Sequence, residues 1–282
     1  MDVTQIDRGF VRVAEGLVHY RHAGVGGAGK LPLYMVHAGP GSSAGLAPLI
    51  AALADTRRVI APDTLGNGDS AAPAPPEPDL IYYADSVIRV MDALGLEQVD
   101  YFGTHTGAHI GIELLIKYPS RIRRAIFDGI GIFPDDLKRE MFERYAPAVQ
   151  PDEFGRHLIW AFQFVRDQMV HFPYFKREPK YRMPTNSMPS PAYLHGWALE
   201  VLKGLTTYHN GYRAVFKHDT KGRLPLVKLR PLMFMAAEPD PLTQYLDEAA
   251  ALAPGAEKVL IKQGDPPGTR VRAIDAFLSR AL

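Results

Sequence analysis

The segment Gly103-Thr104-His105-Thr106-Gly107 sets an imidazole between glycines two residues to either side, after an apolar run and before a stretch with helical spacing. A sharp turn from strand into helix lifts its middle side chain above the sheet, and the flanking glycines permit close backbone approach. His105 has no hydroxyl, thiol or carboxylate, so it cannot form an ordinary acyl-enzyme ester; general acid–base work on water or on a substrate proton suits it better. Cysteine is absent, which removes thiolate nucleophiles, disulfides and Cys-ligated metal sites together. His105 and His109 stand four residues apart, a spacing that puts two imidazoles on one helix face. No metal is expected, because a third ligand and the Glu of a His-Glu-x-x-His motif are both lacking. His109 is read instead as a helix histidine packed beneath the turn and satisfied by a backbone carbonyl. Ser42, Ser43 and Ser70 lie in turns where serine serves local hydrogen bonding and are read as structural.

These residues need a scaffold, and the composition allows one: 282 residues with 46% hydrophobic content support a sizeable core. Lys+Arg number 32 against Asp+Glu 31, a formal net charge of +1, so no global field draws in nucleic acid, an anionic membrane or a strongly charged partner. Small-molecule chemistry is the class that remains, with no cofactor expected. The amino terminus lacks the basic start and apolar run of a signal peptide, which predicts a cytoplasmic chain. No apolar stretch approaches the roughly 20 residues that span a bilayer.

Alternating side chains at Phe10–Ala14 and Leu17–His22 predict a hairpin, followed by a Gly-rich turn at Gly24–Gly29. Strands are predicted at Leu31–Val36, Arg58–Ala61, Gln98–Phe102, Arg124–Phe127, Pro231–Met235 and Lys258–Ile261. Helices are predicted at Ala44–Ala54, Asp79–Leu94, after Gly107 to Tyr118, Leu242–Leu252 and Thr269–Leu282. Alternation of this kind calls for a parallel sheet covered on both faces. Between residues 132 and 222 the rhythm breaks into proline-interrupted helical segments dense in aromatics, read as an inserted helical cap; residues 1–131 and 223–282 form the core.

The order of parts resembles the α/β-hydrolase fold superfamily over essentially the whole chain. His37-Ala38-Gly39-Pro40-Gly41 resembles its His-Gly-x-Pro oxyanion loop, and Asp63-x-x-Gly66-x-Gly68-x-Ser70 is similar to its Asp-x-x-Gly-x-Gly-x-Ser turn. Gly103-x-His105-x-Gly107 has the frame of its nucleophile elbow, with His where the family carries Ser, Cys or Asp. The loop after the last strand, where the family places its catalytic histidine, reads Gln263-Gly264-Asp265-Pro266-Pro267-Gly268. The resemblance implies Asp240, in Glu238-Pro239-Asp240-Pro241, as the catalytic acid, Asp128 as the alternative acid, and the amides of Gly39 and Thr106 as oxyanion donors.

The triad thereby reduces to a His–Asp dyad: Asp240 orients His105, which acts as general base, and the oxyanion donors stabilise developing charge. Hydrolysis of a small apolar or aromatic ester, lactone or C–C bond is the leading expectation. A non-hydrolytic lyase, isomerase or cyclase with the same base, and a catalytically inactive binding protein, are the alternatives. His37, Trp160, Arg166 and Trp197 are the candidate substrate contacts, Arg166 to pair a carboxylate. Leu158, Phe162, Val165 and Met169 follow a helical stripe and are expected to pack inward.

Overall fold

The computed structural model describes residues 5–27, 29–184, 187–229 and 231–280. An eight-stranded sheet runs in the order β1 (Asp7–Val13), β2 (Gly16–Ala23), β4 (Val59–Pro62), β3 (Leu33–Val36), β5 (Val99–Thr104), β6 (Ile122–Asp128), β7 (Leu232–Ala237), β8 (Glu257–Ile261). The β1–β2 and β2–β4 pairings are antiparallel and the rest parallel. All four residues of β3 and of β4 are buried, as a strand covered on both faces requires, while the edge strand β8 alternates.

One face of the sheet packs Met35, Phe102, Ile126 and Met233 against α1 (Ala47–Ala54) and α10 (Thr269–Ser279). The other packs Tyr34, Tyr101, Phe127 and Phe234 with α2 (Leu80–Ala93), α3 (Thr106–Lys117) and α9 (Leu246–Leu252). Two expected helices begin late, at Ala47 and Leu246, because 3-10 turns at Ser43–Leu46 and Pro241–Tyr245 precede them. Residues 1–4, Ala28 in the Gly-rich turn, and 281–282 at the expected end of the last helix lie outside the described residues.

The chain passes from β3 to β4 on one side and then to β5 on the other, so β3 and β5 are neighbours at a topological switch point. Crevices at the carboxyl ends of strands open at such a point. Between β6 and β7 five helices are inserted: α4 (Asp135–Arg144), α5 (Arg156–Gln168), α6 (Pro191–Lys203), α7 (Tyr208–Lys217) and α8 (Thr220–Arg223). The first four lie over this crevice and line, with it, a cavity of about 770 Å³.

Candidate active site

His105 directly follows β5 and caps α3 with φ +50° and ψ −108°, the one non-glycine residue at positive φ among those described. A side chain rarely adopts that backbone, and the surroundings hold it there. Its amide donates to the Asp128 carbonyl at 2.9 Å. A Cβ on Gly103 would lie 2.4 Å from the Gly107 carbonyl oxygen, and one on Gly107 2.3 Å from that of Val36, so strand and helix meet at glycine distance. The ring rests on Gly129, where a Cβ would stand 2.4 Å from His105 Cδ2.

His105 Nε2 lies 2.5 Å from Asp240 Oδ2. Asp240 is fixed in turn: the Leu242 amide donates to its Oδ1 at 2.8 Å, and its own amide donates to the Ala237 carbonyl at 2.9 Å. A carboxylate on Nε2 assigns the proton to that nitrogen and leaves the Nδ1 lone pair as the base. Burial disfavours the imidazolium, but the Asp240 charge and hydrogen bond outweigh it and raise the His105 pKa. Asp240, although burial pushes the other way, is held below its ordinary value by the same bond.

Asp128, expected as the alternative acid, does not meet the imidazole; its carboxylate accepts from Arg270 Nη2, and the carboxylate on the ring is that of Asp240. Burial raises the pKa of Asp128 against the pull of Arg270. Arg270, in the first turn of α10, lines the cavity and was not singled out from the sequence. Its signal was a basic residue two positions beyond Gly268, at the end of the loop that follows the last strand.

The Thr106 amide opens α3 with no side-chain cap. The Gly39 amide, expected to be its partner donor, instead donates to Thr106 Oγ1 at 3.2 Å, and the Gly39 carbonyl accepts from Tyr212 Oη at 2.8 Å. His37 also lines the cavity, but both ring nitrogens are engaged: the Thr64 amide donates to Nε2 at 3.0 Å and Nδ1 donates to the Ala38 carbonyl at 2.9 Å. Burial holds His37 neutral by lowering its pKa, so it braces the loop.

Trp197 lines the cavity and lies against the same loop, 2.6 Å from where a Cβ on Gly41 would stand. Trp160 and Arg166 are not cavity residues. Trp160 stacks on Phe164 with centroids 5.1 Å apart, inside the insertion's own core, and Arg166 turns outward to pair with Asp167 at 2.8 Å. The expected stripe on α5 is corrected in half: Val165 and Met169 pack inward, but Leu158 and Phe162 are exposed, and Trp160, Ala161 and Phe164 pack in their place. His109 accepts from the Gly131 amide at 3.3 Å rather than donating to a carbonyl. His19, Asp63 and Asp69 cluster at metal-like spacing, yet His19 is bonded to both Asp63 (2.8 Å) and Arg8 (2.8 Å), and Asp69 pairs with Arg8 and Lys203.

A parallel sheet that carries a tight strand-to-helix turn at its switch point, under an inserted helical roof, defines an α/β fold built around one cavity. The sequence profile of the alpha/beta hydrolase fold family matches residues 32–266, and the chain belongs to that family. It is 42% identical over 106 residues to the 2-hydroxymuconate semialdehyde hydrolase of Pseudomonas sp. (strain CF600), 36% of this chain and 37% of that one. It is 31% identical over 133 residues to the putative carbamate hydrolase RutD of Caulobacter vibrioides (strain NA1000 / CB15N), 47% of this chain and 49% of that one. The matched stretches thus span under half the length of these curated relatives. Among solved structures, a hydrolase from Pseudomonas aeruginosa PA01 superposes with TM-score 0.70 at 19% identity over 97% of this chain and 99% of that one. The enol-lactonase from Burkholderia xenovorans LB400 gives 0.63 at 19% identity over 96% of each, and at such identities the likeness is one of fold. Among the described residues no helix is long and apolar enough to cross a membrane.

Proposed function

We propose that this chain is a hydrolase-type enzyme that acts on a small, largely apolar carbonyl compound without a covalent ester intermediate. The observation that carries the reading is the 2.5 Å bond between His105 and Asp240 in the wall of a large apolar cavity. Asp240 fixes the tautomer, Nδ1 of His105 takes a proton from water or from the substrate, and the Thr106 amide faces the oxygen on which charge develops. The Gly39 amide joins it when a substrate oxygen displaces the Thr106 hydroxyl. The relatives' names, a hydrolase of 2-hydroxymuconate semialdehyde and a putative carbamate hydrolase, agree with an activated carbonyl as the target.

Purified wild type, His105→Ala and His105→Ser, assayed against activated esters, enol lactones and vinylogous 1,3-diketones between about pH 5 and 9, test the reading across the titration range of histidine. Turnover lost by about 10²–10⁴-fold in the alanine variant, the usual worth of a general base, is the expected result. Retained turnover overturns the assignment.

Proton transfer without hydrolysis, as in a lyase, isomerase or cyclase, draws on a separate observation: in the free cavity one of the two oxyanion amides is already bonded to Thr106 Oγ1. That reading gains if the variants are folded and none of the panel is hydrolysed.

A further inference from the structure

We propose that Arg270 anchors an anionic substrate: its guanidinium takes the carboxylate of a molecule whose apolar body fills the cavity and whose carbonyl meets His105. This deepens the hydrolase reading and rests on it for the placement of the carbonyl. Among the described cavity-lining residues Arg270 is the one that is cationic at every physiological pH. Much of the remaining lining is apolar, including Phe133, Met169, Phe172 and Val215. A carboxylate brought into such a space needs a fixed donor, and a guanidinium is the side chain whose fork matches it.

The guanidinium is held ready rather than used up. Nη2 donates to Asp128, which is 4% exposed, and the Phe102 ring lies 5.8 Å from Cζ, so the head is tethered at the cavity wall. Nη1 makes no hydrogen bond to any described residue, and Nε is buried without a partner. Asp128 meets the guanidinium directly, and Asp240 and His105 lie within reach of its charge. Asp128 is engaged by Nη2 and Asp240 by His105, so a ligand anion meets an Nη1 donor that neither carboxylate uses. The carboxylate-pairing role expected of Arg166 thereby falls to Arg270, since Arg166 is turned out of the cavity.

Trp197 in the cavity wall provides the probe. Its fluorescence is titrated with 4-phenylbutanoate and with the isosteric 4-phenylbutanamide in wild type, Arg270→Gln and His105→Ala. Because Arg270→Gln strands a buried carboxylate, Arg270→Gln/Asp128→Asn serves as the variant that keeps the fold. Wild type and His105→Ala should prefer the carboxylate by about tenfold, as a charge-assisted bond predicts. The double variant should lose that preference while its affinity for the amide changes little. Equal binding of the two probes by wild type, or a preference that survives the double variant, overturns the anchor. A carboxylate preference without turnover of any substrate would fail the hydrolase reading and leave the anchor standing; His105-dependent turnover without the preference would do the reverse.

Discussion

His105 and Asp240 form a charge-assisted pair, and the direction of each pKa follows from it: the imidazole is raised and the carboxylate lowered. A base must be deprotonated to act, so activity should rise with pH through a midpoint above the ordinary histidine value of about 6.5. Asp240→Asn removes the charge and leaves burial, which works the other way. The limb in kcat/KM should therefore move to lower pH while the maximal rate falls, and a limb that stays in place would show that Asp240 does not set it. The same shift has a stability side. A raised histidine pKa stabilises the fold fully below the unfolded value and loses that contribution as pH rises through the folded one. His105 was legible in the sequence from the glycines two residues to either side of it, and Asp240 from the likeness of its turn to the one the resemblance implies. Arg270 was not, because its partner Asp128 lies 142 residues away across the sheet.

The elbow is a junction of three strand ends, and glycines decide how closely they meet. Gly129, at φ +69°, lies under the His105 ring. Gly129→Ala adds a Cβ into that ring and places a side chain where only glycine is at ease, at a cost of about 1–2 kcal/mol. Denaturant unfolding should show that loss with the secondary structure intact, and turnover should fall by an order of magnitude or more as the imidazole tilts away from Asp240. Unchanged turnover would mean the ring position is set elsewhere. Most elements were legible because buried parallel strands read as apolar runs, as β3 and β4 do. The inward face of α5 was half misread: Val165 and Met169 pack inward as expected, but Leu158 and Phe162 are as apolar as Phe164, and it is Phe164 that meets the rings of Tyr208 and Tyr174. The 3-10 starts before α1 and α9 escaped notice for the same reason, since each begins within an unbroken helical pattern.

The inserted helices and the sheet are joined at the insertion's end by a buried polar chain from α3 to α8. His109 lies 3.3 Å from Thr220 Oγ1, which lies 3.1 Å from His218 Nδ1; His218 Nε2 is 2.8 Å from Glu113, and Arg223 grips both Glu113 oxygens at 2.7 and 2.5 Å. The Gly131 amide donates to His109 Nε2, so His109 donates from Nδ1 and the chain runs in one direction to the carboxylate. Burial alone would raise the Glu113 pKa, but Arg223 and His218 hold it down to about 2. A depressed carboxylate pKa gives stability that is fully present above the unfolded value of about 4.3 and is lost as pH falls through the folded one. Wild type should therefore lose stability between about pH 4.3 and 2 in a way that Glu113→Gln does not, when unfolding is followed across that range. At neutral pH, Glu113→Gln keeps the shape but not the charge, and it should cost about 1–3 kcal/mol because His218 and Arg223 lose an ionic acceptor. Hydrogen exchange should then quicken at residues 218–223, where the insertion rejoins the core, before it quickens in β5 or β6. Uniform acceleration throughout the sheet would show instead that Glu113 stabilises the core as a whole and does not bolt the roof of the cavity to its floor.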